Sequence, residues 1–303
     1  MNTSRAKRNT SMTTATRIEA HLKPRRPVRT VHNRQLILVA LLLAAPSLLF
    51  GSGEQARDDE LSTLETKIGR IEGDAVPESL TLSPNRKRLA FFRKLPDEKW
   101  ALVVDEHPGK PYDDVAKMKP LFSADNRRVA FIGKKNGRTH VVIDGVEGNG
   151  YDSVGGITFS PDSKHVAYMG AEGAKRFVVL DEIEQPLRYD GLHGSGPIFS
   201  PDSQRLGYAA RRALKWFVVI DGKEGKAYDG AAEVVFSPDS RHWAHFAKRG
   251  AKALIVLDGV ESRAYDDILR DTKLVFTAPY TVEAVALRNF EVFRVAFSTL
   301  AHN

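Results

Sequence analysis

The sequence predicts an all-β fold, a six-bladed β-propeller of four-stranded antiparallel blades, from three observations. The letters "FSPDS" stand at residues 159–163, 199–203 and 236–240, and degenerate copies begin at Leu82, Phe122 and Phe276, which makes six units. Successive units are 40, 37, 40, 37 and 40 residues apart, the length expected of one propeller blade. Inside each unit, short runs of strand-forming residues alternate with turn residues at fixed offsets.

Each element of the unit has a physical reading. The aromatic closes an apolar run ("GGITF", "GPIF", "EVVF") that suits a buried first strand. Ser-Pro-Asp-Ser then makes a tight turn, because proline presets φ while Ser and Asp bond nearby amides. The second strand carries large residues at alternate positions: Leu89/Phe91, Val129/Phe131, Val166/Tyr168, Leu206/Tyr208 and Trp243/His245. Ala90, Ala130, Ala167, Gly207 and Ala244 lie between them and let a neighbouring sheet approach closely. The third strand reads "WALVVD", "THVVID", "RFVVLD", "WFVVID" and "ALIVLD", and Asp-Gly at 144–145, 221–222 and 258–259 favours a hairpin. A short fourth strand ends in Tyr-Asp, at Tyr112, Tyr151, Tyr189, Tyr228 and Tyr265.

The sixth unit has room for three strands and lacks the Tyr-Asp strand. The segment from Ile68 to Ile71, before Asp74, is expected to supply it and so close the ring. The alternating 40 and 37 spacing implies a two-blade unit used three times, with long loops at 114–121, 191–198 and 267–275.

Ahead of the propeller, expected over 67–303, residues 1–53 read as a basic region followed by a signal peptide or membrane anchor, and 54–66 as a linker. The apolar run Leu36 to Phe50 has fifteen uncharged residues, shorter than the roughly 20 a spanning helix wants. This predicts a periplasmic or secreted protein, tethered to the inner membrane by 36–50 where the signal stays uncleaved. The net charge of +7 is concentrated in the first 35 residues, with nine Lys or Arg against one Glu; 36–303 then carry about −1. That distribution excludes nucleic acid as a partner. The absence of cysteine excludes disulfides, thiolate metal sites and a lipidated cysteine.

"FSPDSKHVAY" at 159–168 and "FSPDSQRLGY" at 199–208 resemble the repeat of the TolB-like, WD-repeat-like family of bacterial β-propellers, over roughly 66–303. The resemblance implies six blades, an envelope location and binding of proteins or other macromolecules, and its repeat motif is structural rather than catalytic.

Function is expected on one of two faces. The turns after strands one and three share a face, where the cationic set Arg86-Lys87-Arg88, Arg127-Arg128, Lys164-His165, Arg205 and Arg241-His242 and the acidic set Asp105, Asp144/Glu147, Asp181, Asp221/Glu224 and Asp258/Glu261 read as neighbouring ion pairs within blades. The other face combines the loops after strand two with those after Tyr-Asp. Its cations, Lys134, Lys135, Arg138, Lys175, Arg176, Arg211, Arg212, Lys248 and Arg249, read either as solvated loop residues or as a rim for an anionic polymer or acidic protein patch. Asp113, Asp152, Asp190, Asp229 and Asp266 read as acceptors for loop amides or as a ring of ligand-binding carboxylates; His193 stands among them in a long loop.

His242 and His245 lie three apart on a strand and point to opposite faces; with no histidine cluster, neither a metal nor a cofactor is expected. "GLHGSGP" has His193 and Pro197 where a nucleophile elbow needs glycines. The reading is a monomeric, non-catalytic exported propeller that binds an envelope protein or anionic glycan. The rival is a propeller enzyme of carbohydrate lyase or lactonase type with its site in the central channel.

Overall fold

Blade five shows how the repeat folds. Gly230–Phe236, Trp243–Arg249, Lys252–Leu257 and Val260–Glu261 pair antiparallel in chain order, a meander with each strand beside the next. Asp258 and Gly259 hold φ of 50° and 79° in the last hairpin, the left-handed pair that a two-residue turn needs to match strand twist. Asp105–Glu106 and Asp181–Glu182 keep the same turn without glycine, at φ of 49°/70° and 49°/64°. The computed structural model describes residues 64–71, 74–269 and 273–299; the signal or anchor expected over 1–53 lies outside the described residues. No helix among the described residues is long and apolar enough to cross a membrane.

Six such sheets follow one another, and the all-β six-bladed architecture stands. First strands of adjacent blades touch one another, as Ser153–Phe159 touches Ile198–Phe199 and that strand touches Gly230–Phe236, so the sheets converge on a common axis. Each junction from blade one to blade six holds an apolar cluster. Ala90, Ala130, Ala167 and Ala244 are fully buried, the close approach their size permits.

The five Tyr-Asp tyrosines are buried, and several dock against the aromatic of the next blade: Tyr112 on Phe131 at 5.3 Å, Tyr189 on Tyr208 at 6.2 Å, Tyr228 on His245 at 5.7 Å. Gly133 gives Tyr112 its space, since a Cβ there would lie 2.5 Å from the ring. These rings fasten the end of each fourth strand to the following blade.

The two-blade period has a structural meaning. In blades three and five the first strand runs through, as Ser153–Phe159 and Gly230–Phe236, with a bulge at Gly156 (φ 60°) or Glu233 (φ 55°). In blades two, four and six it is split: Asp114–Val115 and Leu121–Phe122, Gly191–Leu192 and Ile198–Phe199, Asp267–Ile268 and Val275–Ala278. The long loops expected at 114–121, 191–198 and 267–275 are therefore insertions within first strands, whose ends remain paired.

Ring closure differs from expectation. Thr281–Arg288 has the split first strand on one side and Glu291–Ser298 on the other, and no described residue pairs beyond Glu291–Ser298. Residues 64–71 form no strand. They do lie against blade one, where Lys67 reaches Glu106 at 3.4 Å and Gly69 faces Leu89. Glu106 is the counterpart of Glu182, which accepts the amide of Asn149 from the fourth strand of blade two (3.2 Å). The N-terminal segment thus follows the lane of a fourth strand without a ladder to Glu291–Ser298. Two fasteners of the other fourth strands are missing here: no hairpin ties the segment to strand three, and no tyrosine ends it. Asp74 also falls one residue later than expected, because Ala75 pairs with Arg93 as Val115 pairs with Gly133.

Candidate functional site

The turn face is built from "FSPDS" itself. Ser160 Oγ donates to Asp162 Oδ1 (2.6 Å), which also accepts the Lys164 amide (3.1 Å), while Ser160 Oγ accepts the His165 amide (2.9 Å). The Ser160 hydroxyl, first among the causes, pulls the Asp162 carboxyl down to about 2. The same cage recurs at Ser123/Asp125, Ser200/Asp202 and Ser237/Asp239. The final serine links blades: Ser163, Ser203 and Ser240 accept the amides of Asp125, Asp162 and Asp202 from the preceding blade at 2.9–3.0 Å.

Ion pairs within blades form there at Arg88–Asp105 (2.7 Å), Arg128–Asp144 (3.1 Å) and Arg205–Asp221 (2.9 Å), and the Nδ1 atoms of His165 and His242 meet Asp181 and Asp258 at 2.7 and 2.6 Å. Glu147, Glu224 and Glu261, expected in the same set, reach Lys135, Arg212 and Arg249 instead. The arginines extend further, donating to turn carbonyls of the next blade, as Arg128 does to Lys164 (2.9 Å), and lying over its aromatic, as Arg128 does over Phe159 at 5.3 Å. This face is scaffold.

On the loop face, one oxygen of each Tyr-Asp carboxylate accepts an amide of the strand-two loop. Asn136 donates to Asp113, Gly173 to Asp152, Ala213 to Asp190, Gly250 to Asp229 and Asn289 to Asp266, all at 2.6–2.9 Å. The other oxygen faces the cation that opens strand three: Lys99, Arg138, Lys175, Lys215 or Lys252. Lys215 and Lys252 hold the Asp229 and Asp266 carboxyls below the usual range. Each carboxylate thus bonds a loop amide and faces a cation.

Much of the expected cationic rim is likewise engaged. Lys135, Arg212 and Arg249 reach Glu147, Glu224 and Glu261 at 2.8, 2.5 and 2.7 Å while passing over the rings of Tyr112, Tyr189 and Tyr228. Tyr112 and Tyr228 donate to Glu147 and Glu261 (3.2 and 3.1 Å), so each set ties two blades. Burial, then Glu261, pushes Tyr228 up to about 12 and keeps it a donor. Arg138 bridges Asp152 and Glu172, both at 2.7 Å, and Lys248 lies 3.6 Å from Asp267. Lys134, Arg176 and Arg211 have no carboxylate partner among the described residues. Arg176 donates to Gly173 and Lys175 carbonyls, and Arg211 lies over Trp216 at 5.9 Å.

The sequence reading missed a cleft of about 410 Å³ that opens on the loop side of blades four to six. His193, Trp216, Glu233, Phe246, Lys248 and Ile268 are among its walls, over a floor of glycine and alanine. His193 is the one candidate residue, besides Lys248, that reaches it; its Nδ1 meets Ser195 Oγ at 2.9 Å and its ring packs edge-on against Trp216 at 6.1 Å. Glu233 accepts the Leu274 amide (2.9 Å) through one oxygen. The signal was present in the repeats: Ala253 stands where other blades place Trp, Thr or Arg, and Ala231 where every other blade but the first places a larger side chain.

His245 occupies the strand-two aromatic position and packs on Tyr228, its Nδ1 against the Phe246 carbonyl at 3.1 Å. Burial drops its pKa to about 4. Among the described residues no group of three or more His, Cys, Asp or Glu side chains is placed to hold a metal ion.

No protein-family model matches the chain. No curated protein sequence matches it. Solved structures that it is similar to include TolB from Acinetobacter baumannii, at 13% identity over 70% of this chain and 61% of that one, with a TM-score of 0.38. A eukaryotic initiation factor matches at 16% identity over 65% and 55%, TM-score 0.46. The β-propeller domain of the Trilobed protease from Pyrococcus furiosus matches at 11% identity over 77% and 83%, TM-score 0.38. The chain thus spans about 61% of TolB and 55% of the initiation factor. The six-bladed architecture rests on the sheet topology above.

Proposed function

We propose that this chain is a non-catalytic, exported propeller that binds a protein of the bacterial envelope on its loop face, at the cleft beside blades four to six. The observation that carries this reading is the cleft's place among the charges. On the loop face elsewhere, Lys135, Arg212 and Arg249 reach carboxylates of the repeat, whereas here the repeat departs from its pattern and leaves an open, largely apolar recess. An anionic glycan is the less supported ligand, because Lys135, Arg138, Arg212 and Arg249 already face carboxylates. Export rests on the basic region and apolar run of residues 1–53.

The test is affinity capture from envelope extract with the full chain, in two variants. One changes Lys134 and Arg211 to Glu; the other changes Ala231→Leu to obstruct the cleft. Loss of the captured protein in the second variant alone supports the cleft. Loss only in the first restores the charged rim, and capture unaffected by either removes the loop face as the docking surface. Sequencing the mature N-terminus after cell fractionation tests export, and an intact N-terminus in the cytoplasm refutes it.

A further inference from the structure

The cleft has a built-in template for its occupant. At each blade junction, the second residue of strand three faces the first strand of the next blade. Register fixes the equivalent positions: Trp100, Thr139, Arg176, Trp216 and Ala253 all pair with the residue that ends in Tyr-Asp, namely Tyr112, Tyr151, Tyr189, Tyr228 and Tyr265. On the first strand, Ala75, Val115, Val154, Leu192, Ala231 and Ile268 are equivalent.

Blade one combines Ala75 with Trp100, and blade four combines Leu192 with Trp216. Blade five alone carries alanine at both positions, Ala231 and Ala253. The consequence is visible in packing. Trp100 and Val115 share the apolar cluster of the first junction and Trp216 and Ala231 that of the fourth, while the cluster of the fifth holds Ala253 and Ile268 with Tyr265, Phe246 and other phenylalanines but no tryptophan. The cleft lies here, bordered by Ala231, Ala253 and Ile268.

A second observation concerns charge. Arg211 pairs across strands with Trp216, and its guanidinium lies 5.9 Å above the indole. Lys94 pairs likewise with Trp100. At the equivalent place in blade five, Lys248 pairs across strands with Ala253 and lies 3.6 Å from Asp267 on the same cleft wall. Lys248 keeps more than half of its side chain exposed (58%) and lies on the cleft wall. A cation next to an apolar recess is complementary to the negative face of an aromatic ring, and a large apolar group entering such a recess is what anchors protein interfaces.

We propose that the space beside Ala253 receives an aromatic side chain of indole size from a partner protein, which restores between blades five and six the ring that Trp100 and Trp216 supply elsewhere. Lys248 lies against that ring as Arg211 lies against Trp216. The proposal rests on the binding-platform reading for its biological partner, but its ligand chemistry is testable without one.

The experiment is ligand-observed NMR on the full chain with N-acetyl-tryptophanamide as probe and N-acetyl-leucinamide as control. The expected result is saturation transfer to the tryptophan probe at low-millimolar concentration, with the leucine control at least several-fold weaker. Ala253→Trp, which fills the space from within, abolishes transfer and leaves the thermal midpoint equal or higher. Lys248→Met weakens binding about two- to fivefold; should Ala253→Trp fail to fold, this variant and Ala231→Leu carry the test. Equal transfer in these variants, or equal binding of the leucine control, overturns the proposal. Probe binding that behaves as expected, together with no cleft-dependent capture from envelope extract, would leave the pocket standing and remove the envelope partner.

Discussion

Replacing His245 with phenylalanine should make the propeller resistant to mild acid. His245 is 4% exposed, packs edge-on against Tyr228 and sits where blades one and two carry Phe91 and Phe131. Burial lowers its pKa from 6.5 to about 4, against smaller raising contributions from the Phe246 carbonyl and Glu261. The folded state therefore binds fewer protons than the unfolded chain between these values. Stability is complete above about pH 6.5 and is lost as pH falls toward 4. With one pKa unit worth about 1.4 kcal/mol, the loss reaches roughly 2 kcal/mol at pH 5 and about 3 kcal/mol at pH 4. Phe at 245 keeps the ring contact, removes the ionisation and, as a swap of similar volume, changes stability at pH 7 by less than about 1.5 kcal/mol. Urea unfolding of both proteins at pH 7, 6 and 5 measures the difference. The gap in favour of His245→Phe should widen by about 2 kcal/mol from pH 7 to pH 5. Parallel stability curves would refute the argument, since the lowered carboxyl pKa values of Asp162 and its counterparts act in both proteins alike.

Ser163→Ala removes the acceptor for the Asp125 amide and should cost about 1 kcal/mol in denaturant unfolding. Ser163→Asn should recover it, because Asn126 accepts the Asn85 amide in the same way one blade earlier. Gly133→Ala would place a Cβ 2.5 Å from the Tyr112 ring; thermal or urea unfolding should show a loss of about 1–3 kcal/mol, and an unchanged midpoint would mean Tyr112 is not seated there. In hydrogen exchange, amides of Glu291–Ser298 that do not bond to Thr281–Arg288 should exchange faster than any in Lys175–Leu180, an order that a paired N-terminal strand would reverse.

The sequence made the blade legible because each letter of its repeat answers a local geometric need. Phenylalanine ends the first strand, Ser160 and Asp162 close the turn, and the small residue between Val166 and Tyr168 lets the next sheet approach. The turn-face charges could be read as neighbours, since the hairpins on either side of strands two and three bring them together, but not which residues meet: Glu147, Glu224 and Glu261 reach Lys135, Arg212 and Arg249 instead. Positions on different blades were harder. That Ser163 serves Asp125, or that Arg128 lies over Phe159, follows from the angle between sheets, which no spacing along the chain states. For the same reason the loop-face cations looked available in sequence, although Lys135 and Arg249 are folded back across tyrosines of the preceding unit.

The seam and the cleft share a physical logic. Where the chain repeats, each blade is held by parts of its neighbours: a tyrosine ring, a serine hydroxyl and an arginine. Departures from the repeat remove those parts at specific places. Blade six has no Tyr-Asp strand and a turn containing Tyr280, which packs on His242 at 4.4 Å in place of a serine link, and its outer edge is left without a paired strand among the described residues. Blade five keeps all its links on the turn side of blade four and gives up side-chain volume only on the loop side, at Ala231 and Ala253. Loss of volume at two equivalent positions of one blade, with the surrounding cation retained, opens a recess without loosening the joints that hold the blade. The Asp202 to Ser240 link and the Tyr228–Glu261–Arg249 set hold blade five to blade four beside it, while blade six is joined on the turn side by the Tyr280–His242 contact.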